Sequence, residues 1–329
     1  MKKCFNIPGF NDHLTLNLFL LDNYVSNREM FYDDVEISSV FGNFHFCVWD
    51  GGRNFFRYTQ CTKEEIEYVR DAYASREIPI RFIFTNPAIK EEHLDDRFGN
   101  LVLTLCEHER NEIVVNSPLM ENYIRENYPK YKIISSTTKR ILGHDAFLEE
   151  LNKDYYQVCL DYDLNHDMEL LNKIPMELRG KCEFLSNAIC PPGCKWRKFH
   201  YNATGLSQLS YLRDTYDLQG RCQIFHSSCH PSVLGQGNNL SLEDIEKYSK
   251  MGYKYFKLEG RTLPSSTMVA QYMYYLIKPE WHYAFLSAAA ETPGIFVNDK
   301  NSDLVGDLYQ PKGYLVTPDK KESPGVVIS

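Results

Sequence analysis

Eight short apolar segments, separated by longer amphipathic ones, restrict the fold of this chain more than any other feature. The apolar segments lie at 4–8, 35–44, 80–86, 112–117, 131–137, 155–163, 181–187 and 253–260. Each has the length of one buried strand, and the intervening segments have the length and periodicity of helices. Strands that alternate with helices form parallel sheets. Eight such units predict an α/β fold, a (β/α)8 TIM-barrel-like closed sheet.

A doubly wound open sheet is the rival architecture. Its dinucleotide-binding version needs a Gly-rich phosphate loop after the first strand, and none follows residues 4–8,. Two helix starts carry capping boxes, Thr62 with Glu65 and Ser241 with Asp244,. We expect a barrel domain over residues 1–265. Residues 266–329 should form a C-terminal helix and an extended arm packed on the barrel.

Composition restricts the environment and the partners of the protein. Hydrophobic residues make up 43% and charged residues 24% of the 329 positions, as in soluble globular proteins,. The net charge of −8 argues against nucleic acid as a partner,. The sequence shows no apolar stretch long enough to span a membrane and no secretory signal at its start,. We therefore expect a cytoplasmic protein with reduced cysteines and no membrane association.

The ten cysteines include a group with the spacing of metal ligands. Cys190 and Cys194 flank a Pro-Pro-Gly turn, which can direct both thiols to one point,. Cys222 and Cys229 follow as a looser pair. Thiolates at such spacing hold zinc or an iron–sulfur cluster. The three-residue gap and the loose second pair favour a cluster over zinc.

The number of ligands stays open at this stage. Cys190, Cys194 and Cys229 form the preferred set, and three ligands would leave one iron open to substrate. The candidates for a fourth ligand are Cys222, Cys47, Cys61 and Cys182. Cys182 lies within a predicted strand, so we expect it in the core.

Charged residues at the ends of predicted strands indicate a substrate pocket. Chemistry in barrels of this class gathers at the C-terminal ends of the strands. There, Arg53 follows two glycines and could bind a carboxylate or phosphate,. Lys257, Glu259 and Arg261 alternate along the last strand and are predicted to share one face,. His200 could move protons near the cluster, although it could equally brace the loop.

The segment FKLEGR (256–261) and the cysteine-bearing segment after the seventh strand resemble the collagenase-like "uncharacterised peptidase" family. The resemblance extends over about residues 35–265. It implies a TIM barrel, a [4Fe–4S] cluster and oxygen-independent hydroxylation, as in the bacterial ubiquinone- and RNA-hydroxylation proteins. By this likeness Cys190, Cys194 and Cys229 are ligands. The family's usual cysteine spacing is not reproduced here.

Three functions follow from these patterns. The preferred one is an iron–sulfur enzyme that changes the redox state of a small or polymer-linked substrate with an anionic group. A peptidase or other hydrolase is the second, although the sequence has no His-Glu-x-x-His segment and no Gly-x-Ser-x-Gly elbow,. A non-catalytic cluster-binding or zinc-binding subunit is the third. A protein partner or a homo-oligomer is compatible with all three.

Overall fold

A closed parallel barrel is the centre of the protein. The computed structural model describes residues 1–52, 60–188, 190, 192–209, 238–261 and 263–296. Within these ranges eight parallel strands pair in chain order, and the first also pairs with the last. They are β1 (Lys3–Pro8), β2 (Val35–Gly42), β3 (Ile80–Phe84), β4 (Glu112–Val115), β5 (Lys132–Ser135), β6 (Gln157–Cys159), β7 (Cys182–Leu185) and β8 (Tyr255–Lys257). The predicted (β/α)8 fold is confirmed, and the doubly wound sheet was the wrong alternative.

Helices occupy the connections between the strands, and two further described helices follow β8. In chain order these helices are α1 (Leu14–Ser26), α2 (Lys63–Ala74), α3 (Arg97–Cys106), α4 (Pro118–Asn127), α5 (His144–Asn152), α6 (Met168–Lys173), α7 (Met176–Arg179), α8 (Arg197–Leu209), α9 (Leu242–Lys250), α10 (Ser265–Leu276) and α11 (His282–Glu291). Both predicted capping boxes are confirmed, at the starts of α2 and α9. Their reciprocal bonds satisfy N–H groups that a helix start leaves without partners.

The main core lies between the strands and the surrounding helices. Aromatic rings dominate parts of it: Trp49 packs edge-on against Phe84, and Phe184 stacks on Tyr248. Apolar burial on this scale is the chief force that holds the helices to the barrel. The barrel interior has a separate and much smaller apolar cluster, which consists of Phe41, Ile83, Val114, Ile134 and Cys159.

Charged and amide side chains fill the rest of the barrel interior, where branched apolar residues are usual. Arg81 on β3 is fully buried and has three partners. Its Nε lies 2.6 Å from Glu112, its Nη2 donates to Gln157 at 2.7 Å, and its Nη1 pairs with Glu183. Asn6 also donates to Glu183. The network therefore joins strands on opposite sides of the barrel.

The electrostatic balance of this network is set by the guanidinium of Arg81. Burial alone would raise the pKa of Glu183, but Arg81 and Lys257 outweigh it, so the pKa is lowered. For Glu112, burial dominates over Arg81, and the pKa is raised. Buried carboxylates of this kind persist only while a cation accompanies them.

Glu150 on α5 provides a prediction about acid stability. Ser135 donates to its carboxylate at 2.5 Å, and Lys139 and Lys153 pair with it at 2.7 and 2.6 Å. Burial would raise the pKa of Glu150, but these three partners lower it to about 2. The stability that Glu150 contributes is therefore present above its ordinary pKa of 4.5 and is lost as the pH falls toward 2,.

Glu150→Gln is expected to lower the free energy of unfolding by about 1 kcal/mol at neutral pH, after allowance for solvent screening. The difference from wild type should shrink as the pH falls below about 4.5, as urea unfolding at a series of pH values would measure. Glu177→Gln, at an exposed position on α7, is the control. A difference that stays constant down to acid pH would contradict the assignment.

The first helix after β8 is bonded to earlier parts of the chain. On α10, the Tyr272 hydroxyl donates to Asn17 at 2.7 Å and the Tyr275 hydroxyl donates to the Leu240 carbonyl at 3.0 Å. The predicted arm beyond residue 296 lies outside the described residues. Among the helices that the structure describes, none has the length and apolarity to cross a membrane.

Candidate functional site

A cavity opens at the C-terminal end of the barrel, where the strand-end rule predicts a site. Its volume is about 90 Å³. The apolar part of its wall comes from Phe41, Ile83, Val114 and Leu185. Hydroxyl groups come from Thr85, Ser136, Thr137, Thr138, Tyr162 and Tyr201. The charged lining residues are Lys257, Glu259 and Arg261.

The three charged residues of the FKLEGR segment therefore meet at one cavity, although the strand that carries them is shorter than predicted. β8 ends at Lys257, so Glu259 and Arg261 belong to the loop that follows it. Gly260 has φ +145°, a conformation that side-chain-bearing residues rarely adopt,. A loop through Gly260, rather than the alternation of a strand, brings Arg261 to the cavity wall.

Lys257 lies where β8 opens into the cavity. Its Nζ sits 4.1 Å from the centre of the Phe41 ring. Burial lowers the pKa of Lys257; Glu183 and Cys159 oppose the shift, whereas Arg81 and Arg261 add to it. The pKa of Lys257 is lowered overall, so its neutral amine is more populated than that of a lysine in water.

Arg261 and Glu259 are held by the protein itself. Arg261 pairs with Asp50 at 2.7 Å and donates to the Gly51 carbonyl at 2.6 Å. The backbone N–H of Glu259 donates to Asn187 at 2.6 Å, and the Asn187 amide donates back to the Glu259 carbonyl at 3.0 Å. The bonds of Arg261 fix the loop after β8 against the loop after β2, and the bonds with Asn187 fix it against the loop after β7.

The loop that carries Cys190 and Cys194 lies beside the same cavity. Cys190 is half-buried and packs against Tyr162, Leu185 and Ala188, two of which line the cavity. Cys194 is also half-buried, and both thiols are free of disulfide bonds. Gly193 adopts φ +62°, as the turn prediction required,.

A cluster of opposite charges anchors this loop. The Gly193 N–H donates to Asp163 at 3.1 Å, and Arg197 at the start of α8 pairs with Asp163 at 2.8 Å. Arg140 pairs with Asp161 at 2.7 Å and with Asp163 at 3.1 Å. Burial would raise the pKa of Asp163, but the bonds from Arg197 and Gly193 lower it. The carboxylate therefore stays ionised and holds the loop at neutral pH.

The other predicted site residues have different positions. His200 is half-buried on α8 and is not among the described residues that line the cavity. Cys182 lies in the core, as expected, and Cys47 is buried there too, which leaves the half-buried Cys61 as the more accessible of these alternatives. Arg53, Cys222 and Cys229 lie outside the described residues.

Sequence reasoning missed the hydroxyl groups of the cavity. The Oγ1 atoms of Thr85 and Thr137 are buried, and neither has a hydrogen-bond partner within the described part of the chain. Tyr162 and Tyr201 bring their hydroxyl oxygens within 3.2 Å of each other. The strand-end rule could have found Thr85 and Thr137, since Thr85 follows β3 and Thr137 falls at the end of the predicted fifth strand.

Across the residues that the structure describes, no three His, Cys, Asp or Glu side chains form a group that could hold a metal ion. The described chain thus supplies two thiols of the predicted set, Cys190 and Cys194, on one anchored loop.

Comparison with known proteins adds a similarity of fold. No family model matches the sequence, and no curated protein matches it. Among solved structures, the chain is similar to the U32 peptidase Mk0906, with a TM-score of 0.49 and 12% sequence identity. The similarity covers 80% of this chain and 95% of that one. At this identity it concerns the course of the backbone only.

Proposed function

We propose that this protein is an enzyme that works at the mouth of its barrel with an iron–sulfur cluster, as a redox catalyst or hydroxylase. Cys190 and Cys194 would hold the cluster, with Cys229 and Cys222 supplying the remaining thiolates. The substrate would be a small or polymer-linked molecule with an anionic group, bound in the cavity beside the cluster.

The position of Cys190 is the observation that carries this proposal. Cys190 packs against Tyr162 and Leu185, which also line the cavity that Lys257 and Arg261 enter. A cofactor held by this thiol would therefore border the space available to a substrate. A structural metal needs no such cavity, so the arrangement favours a catalytic over a purely structural role.

The donor set and its charges fit a thiolate-bound group. Cys190 and Cys194 are free thiols on a loop that Asp163 and Gly193 hold in place. The nearby guanidinium of Arg197 offsets the negative charge that thiolates bring,. When bound, an iron–sulfur cluster supplies one-electron transfer or an open iron position.

The chain's own residues would bind and orient the substrate. The apolar wall around Phe41 would contact the nonpolar part of the substrate. The Oγ1 atoms of Thr85 and Thr137, which have no hydrogen-bond partner among the described residues, would donate to a substrate oxygen. Lys257 supplies the positive charge or the free amine at the base of the cavity. Arg261 is engaged with Asp50, so its main contribution is to hold the loop after β8 in place.

Purification without oxygen tests the proposal directly. Iron, acid-labile sulfide and zinc per chain would be measured together with the visible absorption of the cluster. The expected result is iron and sulfide in matched amounts, with zinc far below one equivalent. Cys190→Ala and Cys194→Ala should each lose most of the iron and the visible absorption.

Cys106→Ala is the matched control, because Cys106 is a fully buried core cysteine on α3. It should keep the iron content of the wild type. A zinc-loaded, colourless protein would overturn the cluster and favour the hydrolase or structural-zinc alternative. Iron that is retained in Cys190→Ala would overturn the assignment of this ligand.

A further inference from the structure

Lys257 combines three features that an amine nucleophile needs: access to a cavity, burial against an aromatic ring and a fixed position. It lines the cavity as the last residue of β8, so the barrel wall fixes its backbone. Its Nζ lies over the face of Phe41 at 4.1 Å. Lysines in such surroundings serve as nucleophiles toward carbonyl compounds in many enzymes.

The charges around Lys257 come from several strands and act in opposite directions. Glu183 on β7 and the Cys159 thiol on β6 favour the ammonium form. Arg81 on β3 and Arg261 beyond β8 disfavour it, and burial disfavours it most. Glu183 is already occupied by Arg81, Asn6 and the Cys159 thiol, which lies 2.7 Å from it. Its carboxylate is therefore shared among several donors, and less of its charge is available to Lys257.

The size and lining of the cavity limit what can reach the amine. About 90 Å³ is the space of about three waters at about 30 Å³ each, so the cavity admits only a small ligand,. The Oγ1 atoms of Thr85 and Thr137 are buried there without a hydrogen-bond partner among the described residues. Buried hydroxyls of this kind require a partner, and a carbonyl or carboxylate oxygen provides one.

We propose that Lys257 forms an imine with a small 2-oxo acid or a similar anionic carbonyl compound bound in this cavity. The amine nitrogen uses its lone pair to bond to the carbonyl carbon. The carbonyl oxygen then leaves as water with the two hydrogens of the amine, so no oxidant or reductant is needed. The inference rests on the proposed function for the location of the substrate, but the amine chemistry does not require the cluster.

Reductive trapping tests the inference. The full chain, purified without oxygen, would be incubated with pyruvate and cyanoborohydride at neutral pH and then mapped by peptide mass spectrometry. Reduction of the imine leaves a carboxyethyl group on the reacting lysine. The expected result is modification of Lys257 at least about tenfold faster than of other lysines, because burial lowers its pKa and leaves more of it as the free amine,.

Lys254 offers a matched control, because its ammonium also lies over an aromatic ring, at 4.6 Å from the centre of Tyr255. Lys257→Arg should abolish the preferred adduct, and Lys254→Arg should leave it unchanged. Peptide mapping of the wild type gives the answer even if a variant fails to fold. Labelling spread evenly over the lysines, or no labelling at all, would overturn the inference. A Lys257 adduct on a protein that contains no iron would overturn the proposed cluster and would support the imine.

Discussion

Arg81→Met is expected to lower the free energy of unfolding by about 3–5 kcal/mol, the usual effect of removing one partner from a buried ion pair. Methionine fills much of the volume, but it leaves Glu112 and Glu183 in the barrel interior without their guanidinium. Gln157 also loses a hydrogen bond of 2.7 Å. Urea unfolding followed by circular dichroism would measure the loss.

The pH dependence of the stability loss gives a sharper test than the size of that loss. Without Arg81, the folded pKa of both carboxyls shifts upward, because burial loses its main opponent and only Lys257 still acts on Glu183,. Groups whose folded pKa is raised contribute most stability below the unfolded pKa and lose it as the pH rises. The deficit of Arg81→Met should therefore be smallest near pH 4 and largest at neutral pH.

Arg110→Met is the control for charge removal, because Arg110 pairs with Glu77 at 3.5 Å on the surface. It is expected to change stability by less than about 1 kcal/mol at any pH. If Arg81→Met lowered the free energy of unfolding as little as Arg110→Met, Arg81 would not hold the buried ion pairs with Glu112 and Glu183.

Gly51→Ala is expected to be the most damaging single-methyl substitution near the cavity. A Cβ atom at Gly51 would overlap the backbone carbon and oxygen of Thr85, and a backbone cannot move aside as a flexible side chain can. Overpacking costs about 1–3 kcal/mol, and a clash with backbone places Gly51→Ala at the upper end of that range,. The Gly51 carbonyl would also shift away from Arg261, which donates to it at 2.6 Å. Thermal unfolding and the pyruvate-trapping assay would report both effects.

Gly143→Ala is the matched control, since an added Cβ there meets its nearest neighbour, Ala146, only at 3.8 Å. Gly143 is exposed and forms the N-cap of α5, where Ala is a poorer cap than Gly, so the expected loss is about 1 kcal/mol or less,. A Gly51→Ala protein with wild-type stability and trapping rate would show that the loop is not packed against Thr85.

The fold could be predicted because periodicity is a local property of the sequence. The lengths of the strands could not, since they depend on competing local bonds. The apolar pattern of 155–163 predicts one strand, yet β6 covers only Gln157–Cys159. Asp161 instead accepts from the Asp163 N–H and starts a short helix at Tyr162, which turns the chain toward the cysteine loop,.

The candidate site was predictable only in part as a set of residues, and its contacts were not predictable. Strand-end position was enough to bring Lys257, Glu259 and Arg261 to one cavity. The ion pair between Arg261 and Asp50 joins residues far apart in the chain, and no local pattern encodes it. Arg81 was likewise hidden within an apolar strand segment, because its three partners come from three other strands.

The span of the Arg81 network has a consequence for pieces of the protein. A fragment that stops after β4 would keep Arg81 and Glu112 but lack Gln157 and Glu183, which come later in the chain. An excised half would thus carry a cation whose partners are missing, in addition to two open sheet edges. Some barrels consist of two halves that fold independently. This barrel is expected to form its packed interior only after the last strands have joined the sheet.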